Sequence, residues 1–250
     1  MTKMIMHGCN GRMGQMISNL VKDDPDITIV AGVDINQSVQ NDYPVFDSIT
    51  DCNVEADVVV DFGAAAAIGQ LLDTCAARNL PVVVCTTGLS EEQIAHLNET
   101  SKKIAILRSA NMSLGVNLLM KLLQDAVKTL GPAGFDVEIV EKHHRMKLDA
   151  PSGTALALAD AINEAADEPY EYVYDRSNVR QKRGAKELGI SAVRGGTIVG
   201  DHDVIFAGED EVITFSHRAY SRAVFAKGAI AAAKYLAGKA AGLYDMSDVV

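Results

Sequence analysis

Strand-like and helix-like patterns alternate along the first hundred-odd residues of this chain. Short runs rich in Val, Ile and Ala, which are typical of buried strands, occupy residues 3–7, 27–33, 56–62, 81–87 and 104–109. Apolar positions recur at helical spacing between them, in residues 11–22, 64–78 and 91–103. Because near-continuous apolar strands that alternate with helices are covered on both faces, this region predicts a doubly wound parallel sheet.

The pattern changes after residue 113. One long apolar-periodic helix is predicted over residues 114–130 and ends at Gly131-Pro132. A strand is then predicted over residues 135–143 and a helix over residues 154–166. Three strand-like runs follow at residues 190–195, 197–207 and 211–217, and glycine-containing turns separate them. Consecutive strands joined by tight turns indicate a mixed or antiparallel sheet, so we expect a second, α+β domain. A last Ala-rich helix is predicted over residues 222–243.

Composition argues against several classes of protein. The 250 residues carry a formal net charge of −10, which disfavours nucleic acid as a partner. No apolar run approaches about 20 residues, so we expect no membrane span. No two cysteines form a CxxC pair, so the ligand spacing of a metal site is missing. Because the first residues show no signal-peptide pattern, a reducing cytoplasm is the expected compartment. The cysteines are Cys9, Cys52, Cys75 and Cys85.

A glycine-rich turn follows the first predicted strand and opens the first helix. Gly8, Gly11 and Gly14 have the spacing GxxGxxG, a variant of the dinucleotide-binding fingerprint of Rossmann-type folds. Such a turn can also connect a strand and a helix without binding a ligand. Asp34, however, ends the second strand 20 residues after Gly14, where a carboxylate that binds ribose is expected. The combination favours a dinucleotide site.

The residues around Asp34 bear on the choice between NADH and NADPH. A carboxylate accepts hydrogen bonds from ribose hydroxyls and repels a 2′-phosphate, and residues 35–50 contain no Lys or Arg. We therefore predict that NADH is favoured over NADPH. Arg12 remains a cation that could reach a 2′-phosphate or stack on adenine.

Two imidazoles and a lysine lie close together where the strand predicted over 135–143 ends. His143, His144 and Lys147 are groups that transfer protons or bind carboxylates, and Lys142 and Arg145 add positive charge around them. Taken alone, this segment is more often a solvated basic surface with one histidine packed on the core. The histidines lack the i, i+4 spacing of a helical metal site, and no carboxylate ligand is evident.

The residues that follow favour a binding site over a solvated basic surface. Pro151, Ser152, Gly153 and Thr154 predict a helix start, where free backbone N–H groups and a threonine hydroxyl suit a carboxylate. Ordinary Ser or Thr capping is the alternative explanation. Basic side chains beside such a helix start indicate a pocket for a small acidic molecule.

Together these motifs resemble those of one protein family. The chain resembles the dihydrodipicolinate reductases, also called 4-hydroxy-tetrahydrodipicolinate reductases, over nearly its whole length. The segment EKHHRMKLDAPSGTA at residues 141–155 is highly specific to that family. Five segments support it: GCNGRMG (8–14), TTG (86–88), SANMSLGVN (109–117), AVRGGTIVGDH (192–202) and HRAYSRAVFAKGA (217–229).

The resemblance implies reduction of 4-hydroxy-tetrahydrodipicolinate, via dihydrodipicolinate, to tetrahydrodipicolinate in lysine and diaminopimelate biosynthesis. A hydride passes from NADH or NADPH to ring C4 of an unsaturated cyclic dicarboxylate, and a proton is added beside the new C–H bond. The family usually forms homotetramers through the sheet of its second domain, and its last helix returns to the first domain. The implied domains are residues 1–113 with 222–250 for the dinucleotide, and residues 114–221 for substrate binding and oligomerisation.

The resemblance also implies residue roles. His143 would donate or accept a proton, Lys147 would be the partner proton donor, and His144, Gly153 and Thr154 would contact the substrate. The implied cofactor contacts are Gly8, Cys9, Asn10, Gly11, Arg12, Met13, Asp34, Cys85, Thr86, Thr87, Ser109, Ala110, Asn111 and Met112.

The sequence departs from the family pattern at one residue and in one short segment. Cys85 replaces the usual glycine before Thr86, and residues 63–66 are Gly-Ala-Ala-Ala where many relatives carry a polar or basic residue.

A nicotinamide-dependent dehydrogenase of another amino or keto acid would share the glycine turn but would not need the histidine–lysine segment. A non-catalytic dinucleotide sensor would leave the basic pocket unexplained.

Overall fold

The computed structural model describes residues 1–174, 176–177 and 179–250. It divides into two compact units, one formed by Met1–Leu114 with Ala223–Val250 and the other by Gly115–Arg222. The strands are β1 (Thr2–His7), β2 (Ile27–Val33), β3 (Val45–Phe46), β4 (Val58–Asp61), β5 (Val82–Val84), β6 (Ala105–Arg108), β7 (Asp136–His143), β8 (Glu171–Val173), β9 (Glu187–Arg194), β10 (Gly200–Ala207), β11 (Val212–Ala219) and β12 (Gly242–Tyr244). The helices are α1 (Arg12–Val21), α2 (Ile68–Ala77), α3 (Glu91–Ser101), α4 (Leu114–Leu130), α5 (Gly153–Ala165) and α6 (Ala223–Leu236).

The first unit contains a seven-stranded parallel sheet in the order β12-β6-β5-β4-β1-β2-β3. Successive side chains of its central strands point to opposite faces, and each face is covered by helices. Met4 and Met6 of β1 pack in one layer with Ile17 of α1 and residues of α6. Ile5, between them, packs in the other layer with residues of α2 and α3. The predicted doubly wound parallel sheet of Rossmann type is confirmed.

The second unit contains a five-stranded sheet in the order β11-β10-β7-β9-β8. Strands β7, β9 and β8 run parallel, whereas β10 is antiparallel to both β7 and β11, so the predicted mixed sheet is confirmed. Its core joins Val137 and Ile139 of β7 to Leu123 of α4 and Leu158 of α5. The alternating burial of β7 therefore places one face of the sheet against these two helices.

The end of the chain differs from the sequence prediction. The helix expected over residues 222–243 ends at Leu236, and Gly238 adopts a left-handed φ of 78°, which stops it. Residues Gly242–Tyr244 then form β12, a parallel edge strand beside β6. The prediction of helix beyond Leu236 was wrong because it passed over these two glycines. Among the described residues, no helix has the length and apolar character needed to cross a membrane.

Candidate active site

The glycine turn between β1 and α1 is shaped by steric needs. Gly8 has a φ of 78°, a conformation that favours glycine. A Cβ on Gly14 would lie 2.3 Å from the Gly8 carbonyl oxygen, so only glycine lets α1 approach the turn this closely. Gly11 is the N-cap of α1, and no side chain caps the helix within the described part of the chain. The backbone N–H groups of the first turn are thus available for an anion such as a pyrophosphate.

Asp34 lies directly after β2 and faces this turn. Its Oδ2 accepts a hydrogen bond from the backbone N–H of Asn10 at 2.9 Å, and its Oδ1 accepts one from the N–H of Asn36 at 2.9 Å. The carboxylate is half-buried, and each oxygen keeps a second acceptor position. The carboxylate acceptors at the end of β2 suit the hydroxyls of a ribose, and the N–H donors at the start of α1 suit a pyrophosphate. These residues therefore fit a dinucleotide.

Cys9 lies buried beneath the turn. Burial raises the pKa of its thiol to about 11, and the nearby Asp34 carboxylate adds to this effect. The thiol therefore stays neutral and packs as a small apolar side chain.

A buried polar cluster supports the loop after β5. The Thr86 hydroxyl donates to Asp61 Oδ2 at 2.7 Å, while Asp61 Oδ1 lies 2.6 Å from His7 Nδ1. Asp61 is also bonded to the backbone N–H of Gly63, at 2.8 Å. His7 and Asp61 were not among the predicted site residues. They hold Thr86 in place, while Thr87 is exposed beside it.

The segment after β6 is held by its own side chains and by α6. Asn111 is buried, and its Oδ1 accepts a hydrogen bond from the N–H of Ser113 at 2.8 Å. Met112 is buried in the core, and a Cβ on Gly228 of α6 would come 1.6 Å from its carbonyl oxygen. Ser109 is half-buried and Ala110 is exposed, so the residues before Asn111 face outward.

The predicted cofactor residues gather at one edge of the first unit. Each group follows the carboxyl end of a parallel strand, the edge at which doubly wound sheets bind ligands. The groups follow β1 (Gly8 to Met13), β2 (Asp34), β5 (Cys85 to Thr87) and β6 (Ser109 to Met112).

In the second unit, the histidines lie at the end of β7 and in the turn beyond it. His143 is buried and His144 is half-buried. The turn is tied to the β9–β10 connection, because the N–H of Gly195 donates to the His143 carbonyl oxygen at 2.9 Å. The N–H of Lys147 donates to the His144 carbonyl oxygen at 3.1 Å, which closes the turn.

A carboxylate that the sequence analysis missed lies at the centre of this region. Glu141 is fully buried, and its Oε2 lies 2.5 Å from His143 Nδ1. The Arg194 guanidinium donates to both carboxylate oxygens, at 2.7 and 2.8 Å. The backbone N–H of Ser152 donates to Oε1 at 3.0 Å. The carboxylate thus joins β7, β9 and the start of α5.

The helix start of α5 carries the predicted carboxylate site. Ser152 is the N-cap, and its hydroxyl accepts from the Ala155 N–H at 3.2 Å. Gly153, the first residue of α5, is exposed. Asp149 Oδ1 lies 2.8 Å from Lys147 Nζ, and this ammonium group, more than any other neighbour, lowers the Asp149 pKa. Lys147 thus pairs with a carboxylate just before the start of α5.

Two more histidines extend the cluster across the sheet. The His202 ring packs edge to face against the His143 ring, with centroids 5.2 Å apart, and His217 lies 6.3 Å from His202. Burial, followed by the proximity of His143, lowers the His202 pKa to about 4, so this imidazole is neutral at physiological pH. Its Nε2 lies 3.1 Å from the Ser152 hydroxyl.

The structure thus collects the predicted residues in two sets, one in each unit. His143, His144, Lys147, Gly153 and Thr154 lie within one short stretch of the second unit. Arg194 and His202 were visible only as part of a family-like segment, and Glu141 resembled an ordinary polar strand residue. No group of His, Cys, Asp and Glu side chains in the described residues is arranged to hold a metal ion.

Two family models together match almost the entire chain. One, described as the N-terminus of dihydrodipicolinate reductase, matches residues 2–112. The other, described as its C-terminus, matches residues 115–250. The chain belongs to the dihydrodipicolinate reductase family.

Relatives and solved structures agree with this family. A 4-hydroxy-tetrahydrodipicolinate reductase from Caldanaerobacter subterraneus subsp. tengcongensis is 55% identical and covers 100% of this chain and 98% of its own. One from Clostridium tetani is 50% identical over 98% of this chain and 96% of its own. The dipicolinate-bound dihydrodipicolinate reductase from Paenisporosarcina sp. TG-14 has a TM-score of 0.84 at 25% identity and covers both chains fully. Reductases of this family are oxidoreductases that use NADH or NADPH.

Proposed function

We propose that this chain reduces 4-hydroxy-tetrahydrodipicolinate, via dihydrodipicolinate, to tetrahydrodipicolinate with NADH or NADPH, as a step of lysine and diaminopimelate biosynthesis. The observation that carries the proposal is the stretch from His143 to Thr154. It combines a buried imidazole, an ammonium group that already pairs with a carboxylate, and a helix start with an exposed glycine. Membership of the reductase family supports the same activity.

The first unit would hold the dinucleotide. The helix start after Gly11 would receive the pyrophosphate, and Asp34 would accept hydrogen bonds from a ribose. The loops after β5 and β6 would lie on the nicotinamide side, with Thr86 held by Asp61. When bound, the dinucleotide supplies the hydride for reduction.

The second unit would hold the substrate and deliver the proton. Gly153 and Thr154 would bind one substrate carboxylate at the helix start, and His144 would contact the ring or its other carboxylate. His143 and Lys147 would supply the proton that completes reduction beside the new C–H bond. Lys147 reaches a carboxylate at hydrogen-bond distance in this structure, which fits a group that approaches a bound dicarboxylate.

A coupled assay tests the activity. The protein is mixed with NADH and the product of dihydrodipicolinate synthase, and the nicotinamide absorbance is followed; we expect steady oxidation of NADH. Lys147→Ala and His143→Ala should fold normally by circular dichroism and lose kcat by roughly 10²- to 10⁴-fold, since each removes a proton-transfer group. Oxidation with a different amino or keto acid instead would favour another dehydrogenase, and NADH binding without turnover would favour a sensor.

The cofactor preference is a separate proposal: we expect kcat/KM to be higher with NADH than with NADPH. The Asp34 carboxylate repels a 2′-phosphate, and the loop that follows it carries no cation over residues 35–50. Measuring both kcat/KM values checks this, with Ile35→Arg as the matched variant. That substitution should move the ratio toward NADPH. A native enzyme that prefers NADPH would instead point to Arg12 as a phosphate ligand.

We also propose that the protein is a cytoplasmic homotetramer built through the second unit's sheet. Asp201, Asp203 and Ile205 of β10 alternate with the core residues of that strand, so they lie on the face opposite α4 and α5. That face carries both an apolar side chain and a Lys142–Asp203 ion pair of 2.6 Å, a mixture suited to a subunit interface. Light scattering should give four times the 26.7 kDa of one chain.

The four free thiols are compatible with a reducing compartment, which cell fractionation tests.

A further inference from the structure

Glu141 occupies a position where the strand pattern predicts an apolar side chain. The residues of β7 that face the core alternate, and Glu141 follows Val137 and Ile139 on that face and precedes His143. Its side chain is 0% exposed. A carboxylate removed from water loses several kcal/mol of solvation unless close partners compensate for the loss. The partners of Glu141 therefore indicate what the residue does.

Four hydrogen bonds satisfy both oxygens of this carboxylate. Two come from Arg194, one from the Ser152 backbone, and the fourth links it to His143 Nδ1. The Arg194 pair alone would join two neighbouring strands, as a structural ion pair does. The contact with His143 adds a constraint on a group that the proposed reaction uses.

We propose that Glu141, held by Arg194, is a positioning residue that keeps the N–H of neutral His143 on Nδ1, so that the lone pair on Nε2 takes up a proton from water and the resulting imidazolium passes it to the substrate. This inference rests on the proposed function, in which His143 takes part in protonation.

The charge state of Glu141 determines which histidine nitrogen carries hydrogen. Burial raises its pKa, but hydrogen bonds from Arg194 and His143 outweigh this, so the pKa lies below its usual value. An ionised carboxylate only accepts hydrogen bonds, so Nδ1 of His143 must be the donor. A neutral imidazole has a single N–H group, and its lone pair is then on Nε2.

The surroundings of Nε2 fit this role. A Cβ on Gly200 would lie 3.0 Å from His143 Nε2, closer than side-chain atoms normally approach, so the glycine keeps this edge of the ring open. Within the described part of the chain, Nε2 has no hydrogen-bond partner. One nitrogen is thus bound to a fixed carboxylate, while the other is left for exchange.

Two measurements on the full-length protein test the inference. Magic-angle-spinning NMR of protein labelled with ¹⁵N-histidine reports which ring nitrogen carries the proton, and the His143 signal is assigned by its loss in His143→Gln. Steady-state kinetics then compare Glu141→Gln with Glu138→Gln. Glu138 is a matched control because it lies on the same strand and also pairs with an arginine, Arg183, at 2.9 Å.

We expect wild-type His143 to be protonated at Nδ1 and this preference to weaken in Glu141→Gln. The kcat of Glu141→Gln should fall roughly 10- to 100-fold with little change in KM, as for other residues that orient a catalytic group. Glu138→Gln should keep both properties. An Nε2–H tautomer in the wild type overturns the inference even if Glu141→Gln does not fold, and so does a folded Glu141→Gln with wild-type kcat. A wild type without reductase activity would refute the proposed function, while the tautomer remains measurable.

Discussion

Asp149 is paired with Lys147, one of the groups proposed to act on the substrate. Lys147 Nζ lies 2.8 Å from its Oδ1. The Asp149 side chain is 57% exposed, so it can turn into solvent without disturbing the core. A substrate carboxylate that pairs with Lys147 must therefore compete with Asp149.

We predict that Asp149→Asn lowers the KM for the dicarboxylate. The amide no longer carries the charge that competes for Lys147, and exposed ion pairs of about 0.2–1 kcal/mol correspond to a change of roughly 1.5- to 5-fold. Steady-state kinetics at saturating NADH measure it. Asp125→Asn is the control, because Asp125 also pairs with a lysine, Lys128, at 3.7 Å on the surface of α4. A raised KM would mean that Asp149 helps substrate binding instead.

The active-site residues that could be predicted from sequence are those that lie close together along the chain. His143, Lys147 and Gly153 lie within eleven residues of one another, so their association could be predicted without a fold. Glu141 is also close in sequence, but its importance comes from Arg194, which is 53 residues away. Only the pairing of β7 with β9 brings these two side chains together. A polar residue on the core face of a strand can be assigned a role only when its partners in the folded structure are known.

Among the helices, α6 makes the tightest glycine contact of the first unit. A Cβ on Gly228 would lie 1.6 Å from the carbonyl oxygen of Met112, and that atom belongs to backbone that cannot rotate away. The small residues Ala226, Ala229 and Ala233 are fully buried on the same helix. The close approach of α6 thus fixes the segment proposed to lie beside the nicotinamide.

We predict that Gly228→Ala destabilises the protein and weakens NADH binding. Overpacking of a filled core costs about 1–3 kcal/mol, and the shifted backbone would move Asn111 and Met112. Gly69→Ala is the matched control, since Gly69 is also in a helix but a Cβ there meets nothing within 4 Å. That variant should be neutral or gain about 0.4–1 kcal/mol. Denaturant unfolding and NADH titration of both variants check this, and equal stabilities would contradict it.

Elements with strong periodicity were predicted well, and short edge strands were not. The predictions for β2 and α4 coincide with the structure, because a seven-residue run rich in β-branched residues and a long amphipathic pattern are both strong local signals. Strands β3, β8 and β12 have two or three residues each, too few to show alternation. They form only because a neighbouring strand offers an edge, which is information that local sequence does not contain.

For the molecule as a whole, the buried His202 links stability to pH. Its folded-state pKa of about 4 lies below the ordinary value of 6.5, chiefly because of burial. Between these values the unfolded chain binds a proton that the folded chain does not, so stability falls as the pH drops from 6.5 to 4. The neighbours that also affect this histidine are His143, Glu141, His217 and Asp201.

We predict that His202→Gln removes part of this acid sensitivity. A shift from 6.5 to about 4 corresponds to roughly 3 kcal/mol, at about 1.4 kcal/mol for each pKa unit. The wild type should lose about that much more unfolding free energy than the variant between pH 6.5 and 4. Urea unfolding across this range measures the difference, and the range from pH 7 to 8 is the internal control. Parallel curves down to pH 4 would show that His202 is protonated in the native protein.

The unit that carries the glycine turn is assembled from two distant parts of the chain, and this has a consequence for biosynthesis. Because α6 and β12 are the last elements to be synthesised, residues 1–114 leave the ribosomal exit tunnel well before these two elements emerge. Until then, the layer that contains Met4, Met6 and Ile17 lacks its cover, and the β6 edge lacks its neighbour. Nascent chains should therefore recruit a chaperone such as trigger factor to this surface, and chains stalled before Ala223 should be degraded quickly.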